Sequence, residues 1–341
     1  MQKLALANLG RFFEAVAARQ ALYLPVEDAG GQASFQRWAP GAKLSGALNT
    51  TRSAKDFFFP QTEDLVNFKV RGKEIEIIDP RTEQEPFVVF GVRGCDARSF
   101  SILDKVFLAD PVDTYYQSRR EHGTIVSLAC TRPEETCFCT SFGIDPTCPQ
   151  GDVTAWMEGD ALYFAANTPK GEALLAQTAE LLEACGDEAV RAQQERVSAI
   201  LEKLPLAGFS TQSFGGQVLI QVFESEKWAG LSQSCLGCGT CTFVCPTCQC
   251  YDIKDMDTGH GVQRFRCWDS CMYSDFTRMA HGNPRLTQKE RFRQRFMHKL
   301  VYFPANNNGE YGCVGCGRCL AKCPISMNIV KVARALEGDC K

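Results

Sequence analysis

Two runs of cysteine, one near residue 240 and the other near residue 320, have the spacing of an iron-sulfur motif. Each run reads C-x-x-C-x-x-C-x-x-x-C-P, with Cys235, Cys238, Cys241 and Cys245 in the first and Cys313, Cys316, Cys319 and Cys323 in the second. Three closely spaced cysteines let one loop bind three corners of a cubane, and the fourth ligates the other cluster in two-cluster ferredoxins. We therefore expect two [4Fe-4S] clusters, cluster one on Cys235, Cys238, Cys241 and Cys323, and cluster two on Cys313, Cys316, Cys319 and Cys245.

Two other interpretations of these cysteines account for less of the pattern. Structural zinc sites use paired C-x-x-C or mixed Cys and His sets, not eight cysteines in this duplicated order. The spacing from Cys241 through Cys245 to Cys248 also fits the C-x-x-x-C-x-x-C motif of radical S-adenosylmethionine enzymes. That interpretation leaves Cys235 and Cys238 without a role and ignores the second run.

The first half of the chain contains another candidate set, Cys95, Cys130, Cys137 and Cys139. Cys95 follows an apolar run at a point where a helix is predicted to begin, and a thiol at a helix N-terminus is favoured as a thiolate. Cys130 ends another predicted strand, and Cys137 and Cys139 follow after a short loop. We expect these four side chains to converge on a third [4Fe-4S] cluster. The alternative is that they are small buried residues, since free cysteine packs well as a hydrophobe.

A further set lies in the second half, Cys248, Cys250, Cys267 and Cys271. We take Cys248, Cys250 and Cys271 as candidates for an additional metal site, zinc or another cluster, and the alternative is that they only line a cluster pocket. No partner is evident for the remaining cysteines, Cys148, Cys185 and Cys340. No residue of the chain is assigned a catalytic role.

The elements that must position these cysteines fall into two regions. Residues 1–215 alternate strand-like and helical patterns, which predicts a mixed α/β domain. Its strands are predicted at 74–78, 86–92, 124–129 and 161–166, and its helices at 99–108 and 171–204, with a break near Gly186. A Ser/Gly-rich stretch at 209–216 marks the boundary. Residues 216–341 are predicted to form a mainly helical ferredoxin-like domain, so the chain as a whole is expected to be an α+β protein.

A basic segment between the two cysteine runs is predicted to be a helix. Residues 283–299 combine apolar Phe292, Phe296 and Met297 with six basic residues, Arg285, Lys289, Arg291, Arg293, Arg295 and Lys299. We expect the apolar side to pack beneath the clusters and the charges to face solvent. The alternative is a docking surface for an acidic partner.

Composition and charge exclude several classes of function. The net charge of −3 gives no reason to expect a nucleic acid or an anionic membrane surface as partner. An odd count of 19 cysteines in 341 residues favours thiolate-metal chemistry in a reducing compartment over a disulfide framework. Arg11 and Glu14 interrupt the apolar N-terminus, so no secretory signal is predicted. No run approaches the ~20 apolar residues of a membrane span. We expect a soluble, cytoplasmic protein.

Several segments that lie partly outside the generic ferredoxin pattern resemble a known family. They are 245–252 (CPTCQCYD), 268–271 (WDSC), 276–280 (FTRMA), 283–285 (NPR) and 311–319 (YGCVGCGRC), with 91–96 (GVRGCD), Leu103-Asp104 and 137–140 (CFCT) in the first half. Through these segments nearly the whole chain is similar to the iron-sulfur subunit of anaerobic sulfite reductase and to the beta subunit of cytoplasmic sulfhydrogenases.

The resemblance implies an electron conduit in a multi-subunit complex. Its partners would be a flavoprotein that handles NAD(P) and a catalytic subunit of sulfite reductase, hydrogenase or heterodisulfide-reductase type, and no flavin is expected on this chain. Cys267 departs from the family pattern, which weakens a four-cysteine site with Cys248, Cys250 and Cys271. The competing hypothesis is an autonomous iron-sulfur flavoenzyme with substrate chemistry in the first domain. A redox sensor with purely structural clusters is a third.

Overall fold

A computed structural model describes residues 1–340, apart from the side chains of residues 82 and 83. The strands in chain order are β1 (Gln2–Ala5), β2 (Ala21–Glu27), β3 (Ala33–Arg37), β4 (Thr62–Arg71), β5 (Glu74–Ile78), β6 (Phe87–Val92), β7 (Gly123–Leu128), β8 (Val153–Glu158), β9 (Ala161–Ala166), β10 (Glu183–Ala184), β11 (Tyr251–Asp257) and β12 (Gly261–Trp268). The helices are α1 (Leu9–Ala17), α2 (Gly94–Phe107), α3 (Thr114–His122), α4 (Pro169–Ala176), α5 (Glu188–Leu201), α6 (Leu219–Glu224), α7 (Lys227–Gln233), α8 (Thr240–Phe243), α9 (Gln288–Met297), α10 (Phe303–Asn306), α11 (Arg318–Lys322) and α12 (Ile329–Leu336).

The larger sheet has eight strands in the order β10-β1-β9-β8-β7-β6-β2-β3. Its centre, β2, β6, β7 and β8, is parallel, and the flanking pairs are antiparallel. Every residue of β6 and β7 is buried, as expected for parallel strands covered on both faces. Along β6, Val88 and Phe90 pack in one core with Phe12 of α1, while Val89 packs in another with Phe100 of α2.

The parallel centre of this sheet explains why cysteines distant in sequence meet. Because β6 and β7 are parallel, the segments that follow them leave the sheet at the same edge. Cys95 lies in the first turn of α2, just after β6, and Cys130 lies just after β7. The fold therefore places two of the four cysteines of the first half at one edge.

The smaller sheet is built from both halves of the chain. Its order is β11-β12-β4-β5, so strand β4 of the first half pairs along its length with strand β12 of the second. The two strands approach so closely at Gly261 that a Cβ there would lie 1.8 Å from the carbonyl oxygen of Phe68. The division into domains at residue 215 stays a prediction, and the residues on its two sides share a sheet.

The second half has a separate core around α9. Phe292 and Phe296 are buried on one side of this helix, and the Trp228 ring of α7 stacks on Phe296 with centroids 6.4 Å apart. Thr287 and Glu290 form a capping box that fixes the start of the helix. A π-helical turn, His298–Tyr302, then continues α9 toward α10.

All four strands predicted from the sequence are present, whereas the predicted bounds of the helices are less accurate. Strands β5 and β9 have the predicted bounds, and β6 and β7 differ from prediction by one residue. Helix α2 begins at Gly94, beside the helix start predicted near Cys95 and before the predicted helical stretch 99–108. The predicted helical stretch 171–204 is two helices, α4 and α5, separated by strand β10 near the expected break. The α+β class is confirmed, but the hairpin β11–β12 of the second half was not predicted.

The helices of the described residues are short. The longest, α2 and α5, have 14 residues each. Within residues 1–340, no helix has both the length and the apolar character that crossing a bilayer requires.

Candidate iron-sulfur centres

The four thiols predicted for cluster one line a single pocket, and they are Cys235, Cys238, Cys241 and Cys323. Cys241 belongs to the short helix α8, and Cys323 directly follows α11. The pocket is closed on the inner side by Phe292, Phe296 and Arg295 of α9. The structure thus brings one thiol of the second run to three of the first.

Backbone N–H groups reach two sulfurs of this set. Gly237 donates to Cys235 Sγ at 3.5 Å, and Met327 donates to Cys323 Sγ at 3.3 Å. Gly237 and Gly239 have φ of +66° and +72°, in the left-handed region that favours glycine. Such N–H donors stabilise the negative charge of cluster sulfurs and raise cluster potentials.

The thiols predicted for cluster two lie close to one another, with Cys316 buried and Cys245, Cys313 and Cys319 half-buried. Burial raises the pKa of Cys313 to about 12 against the opposing charge of Lys299, and Cys319 and Cys245 add to the rise. Burial likewise raises the pKa of Cys316, and Cys245 and Cys319 again contribute. Cys245, the last cysteine of the first run, therefore lies with the first three of the second run.

The second cysteine run packs against the first half of the chain. A Cβ at Gly315 would lie 2.4 Å from the carbonyl oxygen of Phe138, so only glycine fits there. The N–H of Phe138 donates to the carbonyl of Gly315 at 3.0 Å. Arg318 forms a bidentate, fully buried ion pair with Asp96 of α2, with Nη2 2.7 Å from Oδ2. This contact fixes cluster two's loop beside the edge where Cys95 lies.

In the first half of the chain, Cys139 lies near each of the other three candidate cysteines. Burial raises the pKa of Cys139 to about 12, and Cys130 and Cys137 contribute to the rise. Cys95 is buried and lies near both Cys139 and Cys316. The expectation that a helix N-terminus would favour the Cys95 thiolate is wrong for the cysteine alone, because burial and Asp96 hold its pKa well above the ordinary value. Metal binding would release protons from these thiols.

The three sets of thiols, which we call the outer, middle and inner sets, are consecutive neighbours. The outer set is that of cluster one, the middle set is that of cluster two, and the inner set is Cys95, Cys130, Cys137 and Cys139. Cys241 of the outer set interacts electrostatically with Cys319 of the middle set. Cys316 of the middle set interacts with Cys95 of the inner set.

The remaining candidate cysteines form pairs. Cys248 donates a hydrogen bond to Cys245, which lowers the pKa of Cys245 well below its ordinary value. A hydrogen bond from Cys271 lowers the pKa of Cys250 to about 7. Cys267 lies on β12, paired with Asp252 of β11. Among residues 1–340, no three His, Cys, Asp or Glu side chains are grouped to bind a single metal ion.

Buried cations surround the outer and middle sets. Lys55, Arg295 and Lys299 are 2%, 3% and 5% exposed, and within the described residues none forms an ion pair with a carboxylate. Lys55 Nζ donates to the Cys248 carbonyl at 2.9 Å, and Lys299 Nζ donates to Thr247 Oγ1 at 2.8 Å. Buried cations require anions nearby. Anionic iron-sulfur clusters on these thiolates meet that need, so the residues present fit the group.

The expectation that the charges of segment 283–299 face solvent is wrong for Arg295 and Lys299. Arg295 follows Phe292 by three residues, and Lys299 follows Phe296 by three, so both share the apolar face of the helix. Because this three-residue spacing can be read from the sequence, it could have predicted that Arg295 and Lys299 are buried. Lys55, in contrast, stands far from the cysteine runs in sequence, and no local pattern marks it.

Comparison with known proteins agrees with this geometry. Residues 234–327 match the model of a 4Fe-4S dicluster domain, which confirms the prediction of two [4Fe-4S] clusters. Sulfhydrogenase 2 subunit beta of Pyrococcus furiosus is 34% identical over 281 residues, covering 81% of this chain and 80% of the relative. No solved structure matches the chain. The chain is an iron-sulfur electron-transfer subunit, and it belongs to the family that includes this sulfhydrogenase beta subunit.

Proposed function

We propose that this chain relays single electrons between two partners, a flavoprotein NAD(P)-linked reductase on one side and a catalytic oxidoreductase subunit on the other. The observation that carries the proposal is the row of three neighbouring thiol sets, linked through Cys241 and Cys319 and through Cys316 and Cys95. When bound, [4Fe-4S] clusters accept and donate single electrons. The catalytic partner would be of sulfite reductase, hydrogenase or heterodisulfide-reductase type, as the family resemblance implies.

In this proposal each dicluster site takes its fourth ligand from the other run. Cluster one uses Cys235, Cys238, Cys241 and Cys323, and cluster two uses Cys313, Cys316, Cys319 and Cys245. The shared pocket of the outer set and the proximity of Cys245 to the middle set support this exchange of ligands. The protein's own contribution is to orient the thiolates, donate N–H groups to the sulfurs and exclude water.

The inner set is the ligand set we propose for a third [4Fe-4S] cluster. The proximity of Cys139 to the other three cysteines supports this, as do the burial of all but Cys137 and the position of Cys95 beside Cys316. An additional metal site at Cys248, Cys250 and Cys271 stays a prediction. We do not include it in the relay, because Cys248 is hydrogen-bonded to a proposed ligand, Cys245.

The outer set offers a place for electrons to enter or leave. Cys238 is exposed, and Leu236 beside it is 65% exposed. A redox partner that covers this loop would come close to cluster one, whereas no cysteine of the middle or inner set is exposed. All 19 cysteines, each within the described residues, are free thiols, which supports a reducing, cytoplasmic location.

The test of the relay is the composition of anaerobically purified chain. Two or three cubanes predict about 8 to 12 iron atoms per chain, no bound flavin and no turnover without partner subunits. Subunits that co-purify should include a flavoprotein and a catalytic oxidoreductase. Zinc in place of iron, or a chain without reducible paramagnetic centres, would contradict the proposal.

The third cluster has a separate test. Replacing Cys137 by serine should lower the iron content by about 4 atoms per chain and leave the dicluster signals intact. Cys148→Ser is the matched control, because Cys148 is an exposed cysteine outside every set. Equal iron contents in the two variants would exclude the inner set as a cluster site.

One observation favours the second candidate, an autonomous iron-sulfur flavoenzyme. A cavity of about 590 Å³ lies in the first half, between α1 and the carboxyl ends of β6 and β7. Trp38, Phe13 and Lys43 line it, and Thr131, next to Cys130, forms part of its wall. Bound flavin, or turnover by the isolated chain, would favour this candidate over the relay.

A further inference from the structure

Arg295 is a buried arginine whose guanidinium has no carboxylate partner among the described residues. Its side chain is 3% exposed, and neither Nε nor Nη1 has a hydrogen-bond acceptor. The guanidinium lies over the Phe296 ring, 4.5 Å from its centroid. A cation–π contact of this kind offsets only part of the cost of burying a charge.

The groups that face Arg295 are thiols of both dicluster sets. Arg295 lines the outer pocket together with Cys241, and it lies close enough to Cys319 of the middle set for their charges to interact. Cys245, Cys248 and Cys271 are further neighbours, and Lys299 is close enough for its positive charge to act against that of Arg295. Arg295 therefore lies in the outer pocket and close to the middle set.

The buried cation Lys299 differs from Arg295 in its neighbours. Lys299 lies near Cys245 and Cys313 of the middle set, and among the described residues it is not part of the lining of the outer pocket, which includes Arg295. Arg293, two residues before Arg295 on α9, is half-buried over Phe223 on another side of the helix. Of these three cations, Arg295 faces both sets, Lys299 in the turn after α9 faces the middle set, and Arg293 faces neither.

The negative charge that Arg295 needs would come from the clusters. A [4Fe-4S] cluster with four thiolates is anionic, and each electron it accepts adds one more negative charge. A cation fixed in a water-poor site stabilises the reduced form of whichever cluster it faces, because the interaction is weakly screened there. A cation facing two clusters acts on both.

We propose that Arg295 is the shared counter-charge of the two cubanes and raises the reduction potential of both. The inference rests on the proposed ligand sets of clusters one and two. Arg295 would supply the positive charge in the relay that the cysteine ligands, as anionic thiolates, cannot supply. Because Coulomb interactions are additive, the one guanidinium lowers the energy of an added electron on either cluster.

The experiment is a potentiometric titration of the intact holoprotein, monitored by electron paramagnetic resonance. Arg295→Gln should shift two cluster midpoints to more negative potential, and Arg295→Lys should shift them less because it keeps the charge. Lys299→Met should shift one of the two midpoints and leave the other in place. Arg293→Gln, on the same helix, should shift neither.

Iron content, measured first, separates failure of this inference from failure of the proposed function. Wild-type protein with fewer than two cubanes would overturn the ligand assignment itself. Wild-type protein with two cubanes, and unshifted midpoints in Arg295→Gln, would overturn the role of Arg295 alone. Loss of iron in Arg295→Gln but not in Arg295→Lys would support a need for the charge. Loss of iron in both variants would show that the clusters need the shape of the arginine side chain and not its charge, which would overturn the inference.

Discussion

The two cysteine loops share one motif and differ in their surroundings. The outer loop, residues 235–246, is partly exposed, and its Gly237 faces only the flexible end of Gln288 at 3.2 Å. The second loop, residues 313–324, carries three thiols of the middle set, and we call it the inner loop. It packs on the backbone of Phe138 and is held by the ion pair of Arg318 with Asp96. The same local cysteine spacing therefore lies in two different environments, and the surrounding fold decides how exposed each loop is.

The largest expected effect comes from breaking the ion pair of the inner loop. Arg318→Met leaves the Asp96 carboxylate buried without its partner, which costs about 3–5 kcal/mol of stability. Lys322→Met on the same helix, α11, removes an exposed charge and should be close to neutral. Anaerobic denaturant unfolding measures both. Similar free energies of unfolding for the two variants would show that the inner loop is not pinned by this contact.

Glycine replacements should separate the loops further. Gly315→Ala combines a φ of +59° with a clash against backbone, and should cost about 2–5 kcal/mol. Gly237→Ala has a similar φ but meets only a movable side chain, so about 1–2 kcal/mol is expected. Thermal unfolding of the holoprotein compares the two. A larger loss for Gly237→Ala would reverse the assignment of outer and inner loops.

Exposure should make the outer cluster the first to decay. Cys238 is exposed, whereas Cys316 is 9% exposed, so oxidants and chelators reach the outer set more readily. Under air, the signal of one dicluster centre should fade severalfold faster than that of the other. Cys238→Ser should alter the fast-fading signal. If it altered the slow one, the difference in exposure would not govern decay.

The smallest expected effect concerns a partly exposed contact near the inner loop. Glu310 forms ion pairs with Arg98 and Lys105 of α2, and solvent screens such pairs. Glu310→Gln should therefore cost under about 1 kcal/mol, and the difference should shrink as salt rises. A loss as large as that of Arg318→Met would mean that this surface contact stabilises the inner loop as much as the buried pair does.

The sequence predicted the iron-sulfur chemistry better than it predicted the fold. Ligand spacing is a local property, so the two runs could be recognised without knowing what surrounds them. The position of Lys55 under Trp268, 3.5 Å from the ring centroid, depends on the fold bringing residues about two hundred positions apart together. The hairpin β11–β12 was missed because its strand β11 is exposed throughout and lacks a buried apolar face. The strand that pairs with β12, β4, is likewise remote in sequence.

The smaller sheet limits how the chain can be divided into stable fragments. A fragment that ends near residue 215 would retain β4 and β5 but leave the edge of β4 without β12. The complementary fragment would expose β12 together with the apolar residue Ile253 of neighbouring β11, which is 51% exposed even in the whole chain. Unpaired edges of this kind promote association between chains. Cutting the chain near residue 215 would therefore yield two aggregation-prone fragments. The cluster region has to be prepared together with the first half of the chain.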